Sequence, residues 1–107
     1  MVEPRAASVW FVYIASNKSH QLYVGVTTDP ERRIHEHKSG KYPSSFTARY
    51  VFDRLVYLES ATSEEGALRR EQQLKKWRRD KKVALIQAKN PNWLDVTPSR
   101  LDALCLR

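Results

Sequence analysis

The run VWFVYIASNKSHQLYVGVT, residues 9–27, decides the fold. Val9 to Ala15 is dense in β-branched and aromatic side chains and reads as a buried strand. Leu22 to Thr27 reads as a second strand, and the polar interval Ser16 to Gln21 as the turn of an antiparallel hairpin. Val9, Phe11, Tyr13 and Ala15 point to one side of the first strand, and Tyr23 and Gly25 share a face of the second. A loop with an odd number of residues, for example Asn17 to Ser19, sets Tyr13 opposite Tyr23, with both hydroxyls projecting from one face. A slip of one residue would separate them. Gly25 leaves room on that face for a ligand or another backbone.

The hairpin leads into a helix. Asp29 is a good N-cap, Pro30 suits the first helical position and Glu31 the first turn, so a helix is expected from Pro30 to about Ser39, ended by Gly40. Lys41 to Tyr50 reads as a polar loop, and Leu55 to Glu59 as a third strand that begins as early as Phe52. Thr62 and Glu65 form a capping box that opens a helix reaching Trp77 or beyond. Lys81 to Lys89 is a further short helix closed by Asn90-Pro91, after which Trp93 and Leu94 pack back on the core. This order gives an α/β fold: a small, three-stranded, mainly antiparallel sheet flanked by helices. The expected organisation is a flexible leader over 1–8, one domain over 9–96 and a C-terminal tail over 97–107.

Composition narrows the classes. The 107 residues suit one domain, and 41% hydrophobic with 29% charged residues is ordinary globular usage. Cys105 is the single cysteine, so neither a disulfide framework nor a cysteine-rich zinc site is available. No apolar run reaches the roughly 18–20 residues of a membrane span, and Met1 to Ser8 lacks a signal-peptide pattern, which implies a cytoplasmic protein. The net charge of +7 favours an anionic partner, nucleic acid ahead of a membrane surface.

Several residues carry the chemistry. Arg33 and His37 are four apart and share a helix face, and a guanidinium fork suits a phosphate. Ala67, Glu71 and Leu74 fall within about 60° of each other on a helix, flanked by Leu68 and Trp77. Glu71 therefore sits inside an apolar stripe, where a carboxylate needs a charge partner, a hydrogen-bond network or a metal; Arg33 and Arg78 are the candidate ion-pair partners. Lys38, Lys41, Arg49, Arg70 and Lys75 are candidate contacts to a nucleic-acid backbone, with Tyr42 and Phe46 placed to stack on bases. The alternative is a solvated basic face with pairs such as Glu71 to Lys75. His35 and His37 lie about 200° apart on a helix and cannot share a metal, and His20 belongs to an exposed turn.

Val12-Tyr13-Ile14 followed by Tyr23-Val24-Gly25 resembles the paired signature of the GIY-YIG nuclease superfamily. Arg33, ten residues past Tyr23, fits the arginine expected there, and Ala67 to Trp77 resembles the helix that carries the family's metal-binding glutamate. Asn90-Pro91-Asn92-Trp93 resembles the close of small stand-alone members, which are related to the incision module of the excision-repair nuclease. Val12 stands in place of the first motif's glycine, and Val26 where some relatives carry a lysine. Val83 stands at the offset of an active-site asparagine found in some relatives, and Asn90 comes later as a further candidate. The resemblance implies a Mg²⁺-dependent endonuclease acting on DNA, with RNA also possible, in repair or recombination; Mn²⁺ is expected to substitute. It implies Glu71 as the metal ligand, Arg33 as phosphate neutraliser, Tyr13 as proton acceptor, Tyr23 as the group that orients the water or shares that proton, and His37 as a positioning or relay group. The rival reading is a nucleic-acid-binding module with little or no catalysis.

Overall fold

The computed structural model describes residues 9–38 and 51–98. Its elements are β1 (Trp10–Ser16), β2 (Leu22–Thr27), α1 (Pro30–Lys38), β3 (Arg54–Ala61), α2 (Glu64–Lys76) and α3 (Arg79–Lys89). The strands form one antiparallel sheet in the order β2-β1-β3. The central position of β1 explains its apolar sequence: both of its faces are covered. Val12 and Ile14 pack with Val24 and Val56 against Ala67 and Leu74 of α2, Ile86 of α3, and Trp93. Tyr13 and Ala15 pack on the other side with Ile34 of α1, Phe52 and Leu55. Helix α1 thus covers one face, and α2 and α3 the other. No described helix is long and apolar enough to cross a membrane.

The hairpin register differs from the expected one. Tyr13 faces Gly25, and Ala15 faces Tyr23. The turn has five residues, 17–21, because Asn17 organises it: its Oδ1 accepts from the backbone N–H groups of Ser19 and Gln21, both at 3.0 Å. Its Nδ2 donates to Gln21 Oε1 at 2.8 Å, and pairing resumes only at Leu22. The loop length is still odd, so the parity is kept and both tyrosines remain on one face, offset by two residues.

Helix α1 starts as its sequence dictates, with Asp29 Oδ1 accepting from Arg32 N at 3.1 Å. Its expected end at Ser39–Gly40, the loop 41–50, the leader 1–8 and the tail beyond Pro98 lie outside the described residues. The cap of α2 is Ser63, not Thr62: the Ser63 hydroxyl accepts from Gly66 N at 3.0 Å. That shift leaves Gly66, rather than Glu65, at the third helical position. Helix α2 ends at Lys76, with Trp77 as C-cap, and α3 starts at Arg79, two residues before the expected Lys81. Trp93 packs on the core as expected, whereas Leu94 is 63% exposed. The Leu94 backbone is held by Asn90, which accounts for its fixed place without burial of its side chain.

Candidate active site

Tyr13 is fully buried, with its hydroxyl 3.0 Å from His37 Nε2. Cross-strand pairing places Gly25 beneath its ring, and a Cβ there would lie 2.5 Å from the hydroxyl oxygen and 2.7 Å from Cζ. The glycine is needed because the tyrosine ring occupies the space a side chain would take. Tyr23 is half-buried beside them, its ring 6.2 Å from Tyr13 and 4.9 Å from His37 between centroids. Among the described residues no group hydrogen-bonds the Tyr23 hydroxyl. Phe52 closes the cluster, with its ring 5.8 Å from Tyr23 and 6.1 Å from His37. Both tyrosines stand on one face, and on that face α1 and Phe52 cover Tyr13, with His37 as its polar partner.

His37 is 3% exposed, and its pKa is lowered to about 4, first by burial and second by the Arg33 charge, against a smaller opposing pull from Glu36. It is therefore a neutral imidazole at neutral pH. A neutral ring shares one proton with the Tyr13 oxygen, and the tautomer sets the direction of donation. A group that resists protonation this strongly is a poor acceptor for a phenol's proton. It serves better as an orienting partner than as a relay.

Arg33 is aimed by two neighbours. Its Nη1 donates to the Val26 carbonyl at 3.2 Å, and its Nε lies 3.6 Å from Glu36 Oε1. The Glu36 side chain is only 12% exposed and also takes Arg32 Nε at 3.3 Å. Val26 belongs to β2, an outer strand, so Arg33 lies at the sheet's margin beside the tyrosine face. Arg33 and Glu36 line a cleft of about 150 Å³ together with Trp10, Thr27, Thr28 and Arg32.

Glu71 comes from α2, whose Ala67 and Leu74 pack on the sheet face opposite Tyr13. Its side chain is 12% exposed, in keeping with its place in the apolar stripe. Its ion-pair partner is Lys75, with Nζ at 3.2 Å, rather than Arg33 or Arg78. Arg78 instead faces Asp80 at 3.6 Å. Among the described residues no group of three or more His, Cys, Asp or Glu side chains is placed to hold a metal ion. A magnesium ion bound with substrate asks for only one or two protein carboxylates, the other positions going to water and phosphate oxygens. The Glu71 carboxylate, whose salt-bridge partner among the described residues is the half-exposed Lys75, fits that modest demand.

The remaining candidates are dispersed. Arg70 is bound internally: its Nε donates to Glu59 Oε2 at 3.0 Å, and its Nη1 to Gln73. Tyr57 donates to the same Glu59 at 2.5 Å, and burial, then Glu59, pushes its phenol up to about 12. Lys38 is exposed at the end of α1, and Lys41 and Arg49 lie outside the described residues, as do Tyr42 and Phe46. Asn90 is buried, and its amide serves the main chain. It donates to the carbonyls of Val56 and Leu94 at 2.9 and 2.8 Å and accepts from Leu94 N at 2.9 Å. That is a structural clamp. Sequence reasoning missed Phe52 and Glu36 as site residues. Phe52 precedes β3 and carries no periodic signal, whereas Glu36, three residues after Arg33, was available from helical spacing.

The GIY-YIG catalytic domain family matches residues 9–84. The UPF0213 protein of Syntrophus aciditrophicus (strain SB) is 42% identical over 81 residues, covering 76% of this chain and 92% of that protein. A UPF0213 protein of Haloquadratum walsbyi is 36% identical over 77 residues, covering 72% and 85%. The solution NMR structure of a UPF0213 protein from Bacillus halodurans is similar, with a TM-score of 0.51 and 38% identity, covering 79% of this chain and 89% of that one.

Proposed function

The chain belongs to the GIY-YIG nuclease family, and from that premise we propose that it is a metal-dependent endonuclease that hydrolyses phosphodiester bonds in DNA, in repair or recombination, within the cytoplasm. The observation that carries the reading is the Tyr13–His37–Tyr23 cluster set over Gly25, one helical turn from an arginine held on two sides. A fold alone asks for no such concentration of hydroxyl, imidazole and guanidinium on one sheet face.

The burial of Tyr13 divides the roles. Tyr23, half-buried and with no hydrogen bond to its hydroxyl among the described residues, is the phenol that meets the attacking water and takes its proton. Tyr13, tied to His37, supports the Tyr23 ring from below and fixes its angle. Arg33 neutralises charge that develops on the non-bridging oxygens, and Glu36 with the Val26 carbonyl keeps its fork from wandering. Glu71 would hold Mg²⁺, or Mn²⁺ in its place, and the ion supplies charge stabilisation at the scissile phosphate when bound.

A panel of labelled duplex, branched and single-stranded DNA, with RNA alongside, tests this in Mg²⁺, Mn²⁺ or EDTA. The wild type is expected to cut, EDTA to stop it, and Tyr23→Phe and Glu71→Gln each to slow cutting by at least about 100-fold. Both variants cutting at the wild-type rate would overturn the assignment. Phenols ionise near pH 10, so ionising one at neutral pH costs about 4 kcal/mol. The rate is accordingly expected to climb between pH 7 and 9 when chemistry limits it; a flat profile would remove tyrosine as the base.

A further inference from the structure

The positive charge of the chain is not where the candidate chemistry is. Residues 75–82 hold six cations, Lys75, Lys76, Arg78, Arg79, Lys81 and Lys82, against the single carboxylate of Asp80, in a chain whose whole excess is +7. By contrast, Asp29, Glu31 and Glu36 balance Arg32, Arg33 and Lys38 around α1. The cationic segment is the corner between α2 and α3, and both helices pack on the sheet face opposite Tyr13 and His37.

Internal pairing sorts these cations. Lys75 is paired with Glu71, Arg78 faces Asp80, and Lys81 Nζ sits 4.2 Å from the Trp77 ring centroid. Lys76, Arg79 and Lys82 pair with no carboxylate among the described residues. Trp77 lies between Lys81 and the Arg70 guanidinium, 5.3 Å from its centroid, so the corner presents charge rather than an apolar surface. The exposed large hydrophobic residues Val9, Val51, Leu68 and Leu94 all lie outside it. A surface helix that enters a lipid interface needs such residues beside its cations; a phosphate backbone needs only the cations.

We propose that the α2–α3 corner, centred on Lys76, Arg79 and Lys82, is the docking surface for the sugar–phosphate backbone of a nucleic acid, separate from the tyrosine face. Lys76 follows Glu71 by five residues, about 7.5 Å along the α2 axis and about 140° around it, so Lys76 and the Glu71 carboxylate lie on different faces of the helix. The docking surface does not depend on the nuclease reading.

The test is fluorescence anisotropy in EDTA, so that cleavage is silent, across a salt series. Duplex DNA, single-stranded DNA and RNA of equal length are the probes. The triple variant Lys76→Gln, Arg79→Gln, Lys82→Gln is expected to reduce the duplex log–log salt slope by about 2.7, at roughly 0.9 per lost contact. The charge-retaining variant Lys76→Arg, Arg79→Lys, Lys82→Arg should keep the wild-type slope, as should the control Lys18→Gln, which is exposed in the turn between β1 and β2. The relative affinities for the three probes identify the nucleic-acid class. A wild-type slope in the neutralised triple variant overturns the proposal, even if the protein cuts. Wild-type protein that ignores all three probes and binds anionic phosphatidylserine vesicles overturns it in favour of a membrane surface. Corner-dependent binding without cleavage in any metal supports the docking surface and counts against the nuclease reading.

Discussion

Gly25 and Tyr13 illustrate how one residue's size fixes another's position. The Tyr13 ring is fully buried and cannot retreat, so a methyl at Gly25 would meet its hydroxyl at 2.5 Å. Gly25→Ala is expected to cost about 1–3 kcal/mol, read as a lower urea midpoint; an unchanged midpoint would mean the ring is free to move. His37 gives a second prediction. Its folded pKa of about 4 lies below the ordinary 6.5, so the unfolded chain binds the proton more readily between those values. This contribution is complete above pH 6.5 and is lost as pH falls towards 4, by about 3 kcal/mol at most. Unfolding titrations at pH 7, 5.5 and 4.5 should show a shallower acid limb in His37→Gln than in the wild type. Alternation along the hairpin was enough to put Tyr13 and Tyr23 on one face. It could not reveal what lies above them, because Phe52 and α1 come from elsewhere in the chain.

Element boundaries turned on single hydrogen bonds. Thr62 and Ser63 are both good caps by type, and spacing favours Thr62 because Glu65 follows three residues later. The backbone instead makes its turn at Ser63, whose φ of −152° and ψ of 160° let its hydroxyl reach Gly66 N. Ser63→Ala should destabilise the protein by about 1 kcal/mol and Thr62→Ala by little, as measured by thermal unfolding; the reverse ranking would restore Thr62 as the cap. The five-residue hairpin turn has a similar origin, in the Asn17 amide, which a count of polar residues cannot see. Asn90 ends α3 and then reaches back to Val56. Asn90→Ala leaves buried main-chain groups unmet and is expected to cost about 2–3 kcal/mol on chemical denaturation. A smaller loss would show that water replaces the amide.

At the scale of the whole molecule, the sheet separates the candidate groups. Tyr13, Tyr23, Arg33 and His37 belong to the α1 side of the sheet and Glu71 to a helix on the other side. Loss of cleavage and loss of binding should therefore separate. Glu71→Gln is expected to stop cutting while nucleic-acid binding in EDTA keeps its salt slope. A slope that falls with Glu71→Gln would place the carboxylate's pairing with Lys75 within the docking surface. The order of elements was readable from residue patterns, because each strand and helix announces its own period. Which face of the sheet each helix covers is a property of the packed sheet and has no local signal.

The closing segment of the fold also sets a schedule. At the start of β3, Leu55 receives Val96 N at its carbonyl and gives its own N–H to Asp95, while Asn90 takes the carbonyl of Val56. Leu55 and Asp95 are 40 positions apart. At about 5–20 residues per second, synthesis of that interval lasts about 2–8 s, whereas hairpins close in microseconds. During synthesis the start of β3 is thus made some seconds before the residues that satisfy its outer backbone groups, and an unpaired strand edge is a template for pairing with another chain until Asp95 and Val96 follow.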